Sequence, residues 1–120
     1  MKNMVTKYCD LHTHSCYSDG TRSPKELIHK AEQAGLAAVA LCDHNTVAGL
    51  PEFVAAGKGS TVEAVPGIEF STDYANTELH LIMLFVKQED WGPIESLLEE
   101  FRILKEQSNL ARIRALRDGS

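Results

Sequence analysis

Six residues of metal-binding type stand at intervals along the first two thirds of the chain: His12, His14, Asp19, His44, Glu69 and His80. His12 and His14 form an H-x-H pair. On an extended strand side chains alternate with a period of two, so both rings project from one face and can share a cation. Asp19 and Glu69 add carboxylate oxygens that offset its charge. A carboxylate lying between two cations can bridge them, an arrangement suited to hydrolysing phosphate esters. A single H-x-H carries little weight, since either ring could be a satisfied structural histidine. The ordered set of H-x-H, Asp43-His44, Gly67-x-Glu69 and a further strand histidine favours a metal centre. The fifth histidine, His29, lies mid-helix beside Lys30 and reads as a solvated surface residue.

These residues need elements that bring them together. Val5 to Leu11 reads as a first strand with His12 and His14 at its C-terminal end. Ser23-Pro24-Lys25-Glu26 is a capping box with proline at the first helical position. The helix it opens carries Leu27, Ile28, Ala31 and Ala34 on one face and stops at Gly35. Ala37 to Cys42 is a continuous apolar run, the pattern of a strand buried on both faces, with Asp43 and His44 at its tip. A loop and short helix follow over Thr46 to Gly59. Val62 to Phe70 and Leu79 to Val86 are two more strands, placing Glu69 near the end of the third and His80 in the fourth. From Pro93 a long helical stretch keeps a 3.6-residue period through Ile94, Leu97, Leu98, Phe101 and Leu104.

The order β-α-β-α-β-β-α with apolar strands predicts an α/β fold with a largely parallel sheet or barrel. His12 to His44 and His44 to Glu69 are spacings that suit β-α-β units, whose C-terminal strand ends gather on one rim. Four strands do not close a barrel, which takes about eight. A partial fold is therefore expected, and the chain, 1–120, reads as one domain without repeats or linkers.

Composition bounds the function. Hydrophobic residues make up 43% and charged residues 24%, ordinary for a soluble globular protein. A net charge of −5 argues against nucleic-acid binding driven by bulk charge. The three cysteines, an odd number without a signal peptide, predict a cytoplasmic protein with reduced thiols. Cys9 and Cys42 read as small buried filling. Arg22 and Lys58 read as solvated charges. Arg102, Lys105, Arg112, Arg114 and Arg117 read as a solvated helix face whose positive end complements the macrodipole.

The runs D-L-H-T-H-S-C-Y-S-D-G-T, L-C-D-H-N-T-V-A-G, P-G-I-E-F-S and L-H-L-I, in that order, resemble the PHP family, the polymerase and histidinol phosphatase domains. The resemblance runs from about Tyr8 to Val86 (motifs within 8–86), with the closing helical segment at 93–117. It implies the N-terminal part of a distorted (β/α)7 barrel holding up to three divalent metal ions, Mn, Zn or Fe, at its C-terminal rim. Carried across by motif, His12 and His14 would hold one ion, with Glu69 bridging it to a second that His80 also ligates. Asp19 and His44 would serve the third, and Asp10 and Asp43 would orient histidines. Asn45 stands where members often carry aspartate. The family completes its site with a later histidine and an aspartate-histidine pair. No histidine follows His80 here, which implies a truncated chain completed by a C-terminal part of the same protein or by a second chain.

The resemblance implies a metal-dependent phosphoesterase in which water activated by the cations attacks phosphorus. Its substrates would be phosphorylated small molecules such as nucleotides, or short oligonucleotides, with no membrane partner. Full-length protein is expected to be active and the 120-residue chain alone weak or inactive. Two alternatives stay open. An amidohydrolase-like metal hydrolase also begins with H-x-H, but expects a metal-bridging lysine where this sequence offers Glu69. A truncated, non-catalytic metal-binding or interaction module would bind metal without hydrolysis.

Overall fold

The computed structural model describes residues 7–74 and 77–118. The start of the expected first strand, Val5 and Thr6, lies outside them. Strand β1 covers Cys9–Thr13, β2 Ala38–Leu41, β3 Glu63–Tyr74 and β4 Thr77–Leu84; helix α1 covers Pro24–Gln33, α2 Leu50–Lys58 and α3 Gln88–Asp118. The element order is the expected one. The four strands form a single curled sheet in the order β1-β2-β3-β4. This is a mixed α/β arrangement with the open, four-stranded sheet expected of a partial barrel.

The parallel expectation holds for half of the strand pairings' length and fails for the rest. β1 pairs with β2, and β2 with Glu63 to Pro66 of β3, in parallel. From Gly67 onward β3 instead pairs antiparallel with β4, from Gly67 opposite Leu84 to Tyr74 opposite Thr77. Glu69 therefore sits in the middle of a 12-residue strand rather than near its end, where the sheet changes from one pairing to the other. An isolated parallel bridge between His44 and Glu69 carries the β2 side past the end of that strand.

Local chemistry explains the helices. Ser23 accepts a hydrogen bond from the Glu26 amide at 3.1 Å while Glu26 Oε1 accepts from the Ser23 amide at 3.1 Å, a reciprocal cap. Gly35, at φ +71°, takes the left-handed conformation that ends α1 without a Cβ clash. Ile28 and Ala31 of α1 and Leu50 and Phe53 of α2 pack with Val39, Leu41, Val62 and Ile68 into one core. All four residues of β2 are buried.

Three expectations differ from what is observed. β1 is an edge strand and largely exposed, so Cys9 is exposed while Cys42 is fully buried. β4 has the apolar sequence of a covered strand, yet Leu79, Leu81, Ile82 and Met83 are exposed among the described residues. Helix α3 begins five residues before the proline expected to open it, and Pro93 lies inside the helix at the loss of one backbone hydrogen bond. Trp91, Ile94 and Leu98 dock α3 on the core, with Trp91 Nε1 donating to the Val86 carbonyl at 3.1 Å. Beyond Leu98 the periodic apolar residues Phe101, Leu104, Ile113 and Leu116 are exposed. The helix runs out from the body, and the long axis of the molecule reaches 75 Å.

Candidate metal centre

The tips of β1 and β2 and the middles of β3 and β4 converge on the Glu69 carboxylate, which is almost fully buried. Its Oε1 lies 2.6 Å from His12 Nε2 and 3.4 Å from His14 Nε2. Its Oε2 lies 2.8 Å from His80 Nδ1 and 3.5 Å from His44 Nδ1. Burial acts to raise the Glu69 carboxyl, but the His12 hydrogen bond and the charges of His44, His12 and His14 outweigh it. The carboxyl is held below its ordinary value. The two rings of the H-x-H pair face one another with Nε2 atoms 3.1 Å apart, and His14 stacks on His44 with centroids 4.4 Å apart.

All six sequence-predicted residues meet here, in three overlapping groups whose donor atoms lie within 4.8 Å of one another. The groups are His12, His14 and Glu69; His14, Asp19 and His44; and His44, Glu69 and His80. Asp19 reaches the second group from the loop after β1, with Oδ2 3.2 Å from His44 Nε2. The side-chain chemistry suits divalent cations: imidazole and carboxylate donors accept Mn²⁺, Fe²⁺ or Zn²⁺. His14 Nδ1 is buried without a hydrogen-bond partner, an orphaned polar atom of the kind that a bound ion satisfies.

The loop carrying His14 and Asp19 is fixed by Asp43. The buried Asp43 carboxylate accepts from the Ser15 amide and hydroxyl, each at 2.6 Å, and from the Ser18 hydroxyl at 2.7 Å. Its partners are thus the loop serines rather than a histidine ring. Asp10 accepts from the His12 amide at 3.2 Å and likewise acts on the backbone. Gly20 is required by the same loop, because a Cβ there would collide with the His14 carbonyl.

Two further residues belong to the site that spacing did not single out. Ser71 Oγ lies 2.9 Å from His44 Nδ1 and 3.0 Å from His80 Nδ1, between the two rings. The available signal was its position two residues after Glu69, hence on the same face of the strand. Asn45 holds Ser71 in place. Its side-chain amide donates to the Ser71 carbonyl at 3.2 Å and accepts from the Ser71 amide at 3.0 Å. An aspartate cannot supply the donor, which gives asparagine a physical reason here. Asn45 takes φ +53°, a left-handed conformation that asparagine tolerates.

On the outer side of the same loop, Glu95 of α3 accepts from the Thr46 hydroxyl at 2.6 Å and the Val47 amide at 2.5 Å. Burial works to raise the Glu95 carboxyl, but these hydrogen bonds and Arg102 overcome it and hold it low. Arg102 pairs with Glu95 and Glu99 and donates to the Asn45 carbonyl, so it is tied to the loop instead of being freely solvated. Cys42, beneath the site, is buried, and burial with the Glu69 and Asp43 charges pushes its thiol up to about 11. His29, Arg22 and Lys58 are exposed, and none belongs to the three groups.

Comparison with known proteins places this geometry. The chain is 44% identical over 80 residues to a 5′-3′ exoribonuclease of Haemophilus influenzae, an alignment covering 67% of this chain and 29% of that protein. It thus spans under a third of that relative's length. A solved metal-dependent phosphoesterase from Bifidobacterium adolescentis superposes with a TM-score of 0.68 at 26% identity, covering 82% of this chain and 34% of the other. A solved amidohydrolase from Chromobacterium violaceum, with bound sulfate and no metal, superposes with a TM-score of 0.73 at 27% identity, covering 93% and 39%. No helix among the described residues is long and apolar enough to cross a membrane. The PHP domain matches residues 10–108, and the chain belongs to the PHP family.

Proposed function

We propose that the protein containing this chain is a metal-dependent phosphoesterase acting on nucleotides or short oligonucleotides. The observation that carries the reading is the Glu69 carboxylate, with two imidazoles near one oxygen and two near the other. His12 and His14 would hold one ion with Glu69, which would also serve a second with His80; Asp19 and His44 would hold the third. Bound divalent cations would supply an activated water and neutralise charge on the phosphoryl oxygens. The protein's own groups do the rest. His12, His14 and His44 hold the Glu69 carboxyl below its ordinary value, Asp43 fixes the loop that carries His14 and Asp19, and Ser71 fixes the His44 and His80 rings. The names of the exoribonuclease and phosphoesterase relatives support the same bond type.

The amidohydrolase description of the Chromobacterium violaceum structure favours a second reading, hydrolysis of an amide. It carries less, because the residue shared by two of the clustered groups is a glutamate, Glu69, where that class expects a metal-bridging lysine. The two readings separate in one assay. Complete protein loaded with Mn²⁺ is expected to release phosphate from phosphomonoesters or mononucleotides from short oligonucleotides, with His12→Ala inactive. Hydrolysis of amides alone, or of neither class, overturns the proposal.

A further inference from the structure

The turn that follows His44 is held from two sides by different elements. On the strand side the Asn45 amide donates to the Glu69 carbonyl at 2.9 Å, and the Asn45 side chain clasps the Ser71 backbone. On the helix side the ties come from α3. Glu95 Oε1 accepts from the Thr46 hydroxyl at 2.6 Å and the Val47 amide at 2.5 Å, and Thr46 Oγ1 in turn accepts from the Ala48 amide at 3.1 Å. Arg102, about two turns further along, donates to Glu95 Oε2 at 3.3 Å and to the Asn45 carbonyl at 3.4 Å. Asn45, Val47 and Ala48 thereby each have a backbone group tied to α3, directly or through Thr46.

His44 lies immediately before this turn and belongs to two of the three metal-binding groups, with His14 and Asp19 in one and with Glu69 and His80 in the other. Asn45, the next residue, takes φ +53°, a left-handed conformation that costs energy unless its surroundings hold it. Glu95 is seated to do so, because Ile94 and Leu98 on either side of it pack against the core. A carboxylate on a docked helix gathers both donors of the turn at one oxygen, and hydrogen bonds to an ionised acceptor are the stronger kind. We infer that Glu95 is a positioning residue for the metal centre: by holding the Thr46–Val47 turn against α3 it sets the His44 ring for the two metal positions that use it. The inference rests on the metal centre of the phosphoesterase reading and adds a residue to it. The remaining group, His12, His14 and Glu69, does not include His44 and is expected to be unaffected by Glu95.

The test is Mn²⁺ titration of the complete protein after removal of bound metal, with the free ion counted by electron paramagnetic resonance. Wild type is expected to bind Mn²⁺ in steps, and Asp19→Ala and His12→Ala identify which step belongs to which group. Glu95→Ala should weaken the steps that use His44 by about tenfold, the scale of losing a group that orients a metal ligand, and leave the remaining step unchanged. Glu95 is partly exposed, so its replacement leaves the fold intact, which circular dichroism checks. Glu95→Gln should bind as wild type at neutral pH, because its amide oxygen still accepts from Thr46 and Val47. Glu52→Ala is the control: it removes a comparable bond, in which the Lys25 amide donates to Glu52 Oε2 at 3.0 Å, and should alter no step. Selective weakening in Glu95→Ala, with wild-type binding in Glu95→Gln, upholds the positioning role. An unchanged Glu95→Ala titration, an equal weakening of every step, or the same weakening in Glu52→Ala overturns it. If the weakening is selective but the loaded protein cleaves no phosphoester, the phosphoesterase reading fails and the positioning role stands; cleavage with an unselective titration gives the reverse.

Discussion

The second and fourth strands are built from similar residues and end in opposite environments. β2, Ala38–Leu41, is an unbroken apolar segment and every residue is buried, Val39 and Leu41 in the core with α1 and α2 and Ala38 and Ala40 on the other face with Cys42, Val65 and Leu84. In β4, Thr77–Leu84, the segment from Leu79 to Leu84 is apolar but for His80, and the side chains are mostly exposed. An apolar strand encodes a preference for cover; the cover itself is written in other segments. For the Val39 and Leu41 face of β2 those segments are two helices, α1 and α2, whose apolar faces are set by local sequence. For β4 the hairpin to β3 satisfies one edge, and the faces stay open among the described residues.

The largest effect should come from the covered side. Phe53 is fully buried against β2 and β3, so Phe53→Ala should cost about 3–5 kcal/mol in urea unfolding, from lost transfer energy and an unfilled cavity. Leu81 of β4 is 63% exposed, and Leu81→Ser should stay within about 0.5 kcal/mol. Comparable losses at the two positions would break the contrast.

Asp43 extends it from packing to polar groups. Asp43→Ala strands the buried Ser15 amide and hydroxyl and should cost about 3 kcal/mol, since each unsatisfied buried group costs about 1–3 kcal/mol. Ser71→Ala is a smaller change on the β4 side. Losing the hydroxyl between His44 and His80 should leave unfolding nearly unaltered while weakening metal binding about 10–100-fold, measured by competition with a chelating dye.

The smallest effect concerns the latch between α3 and the Asn45 loop. The Glu95 carboxyl is held below its ordinary value of 4.5, so its contribution is present above that value and is lost as pH falls through the lower folded value. Glu95 is partly exposed, which limits the contribution to less than about 1 kcal/mol. Unfolding between pH 5 and 3 should show this increment in wild type and lack it in Glu95→Gln.

Much of the fold was legible because its signals are local. The capping box at Ser23, the left-handed Gly35, the proline near the start of α2 and the buried run of β2 each follow from residues within a few positions. What was not legible depends on partners distant in sequence. Nothing near Gly67 announces that β3 changes from parallel to antiparallel pairing, and so Glu69 falls mid-strand. The exposure of Cys9 follows from β1 being an edge. Arg102 of α3 looked solvated because its bond to the Asn45 carbonyl exists only in three dimensions. The candidate site was more legible than the packing. Six residues of metal-binding type define it, whereas Ser71 and Asn45 are common residues whose role is visible only through their hydrogen bonds.

The central claim is that Glu69 is shared between two metal positions and Asp19 serves one. Elemental analysis of the complete protein, expressed with added Mn²⁺ and freed of loose metal, tests it directly. Wild type should carry stoichiometric metal, Asp19→Ala should lose about one equivalent, and Glu69→Ala should lose more than Asp19→Ala while remaining folded by circular dichroism. Wild-type protein without stoichiometric metal, or Glu69→Ala with undiminished metal content, would contradict the account.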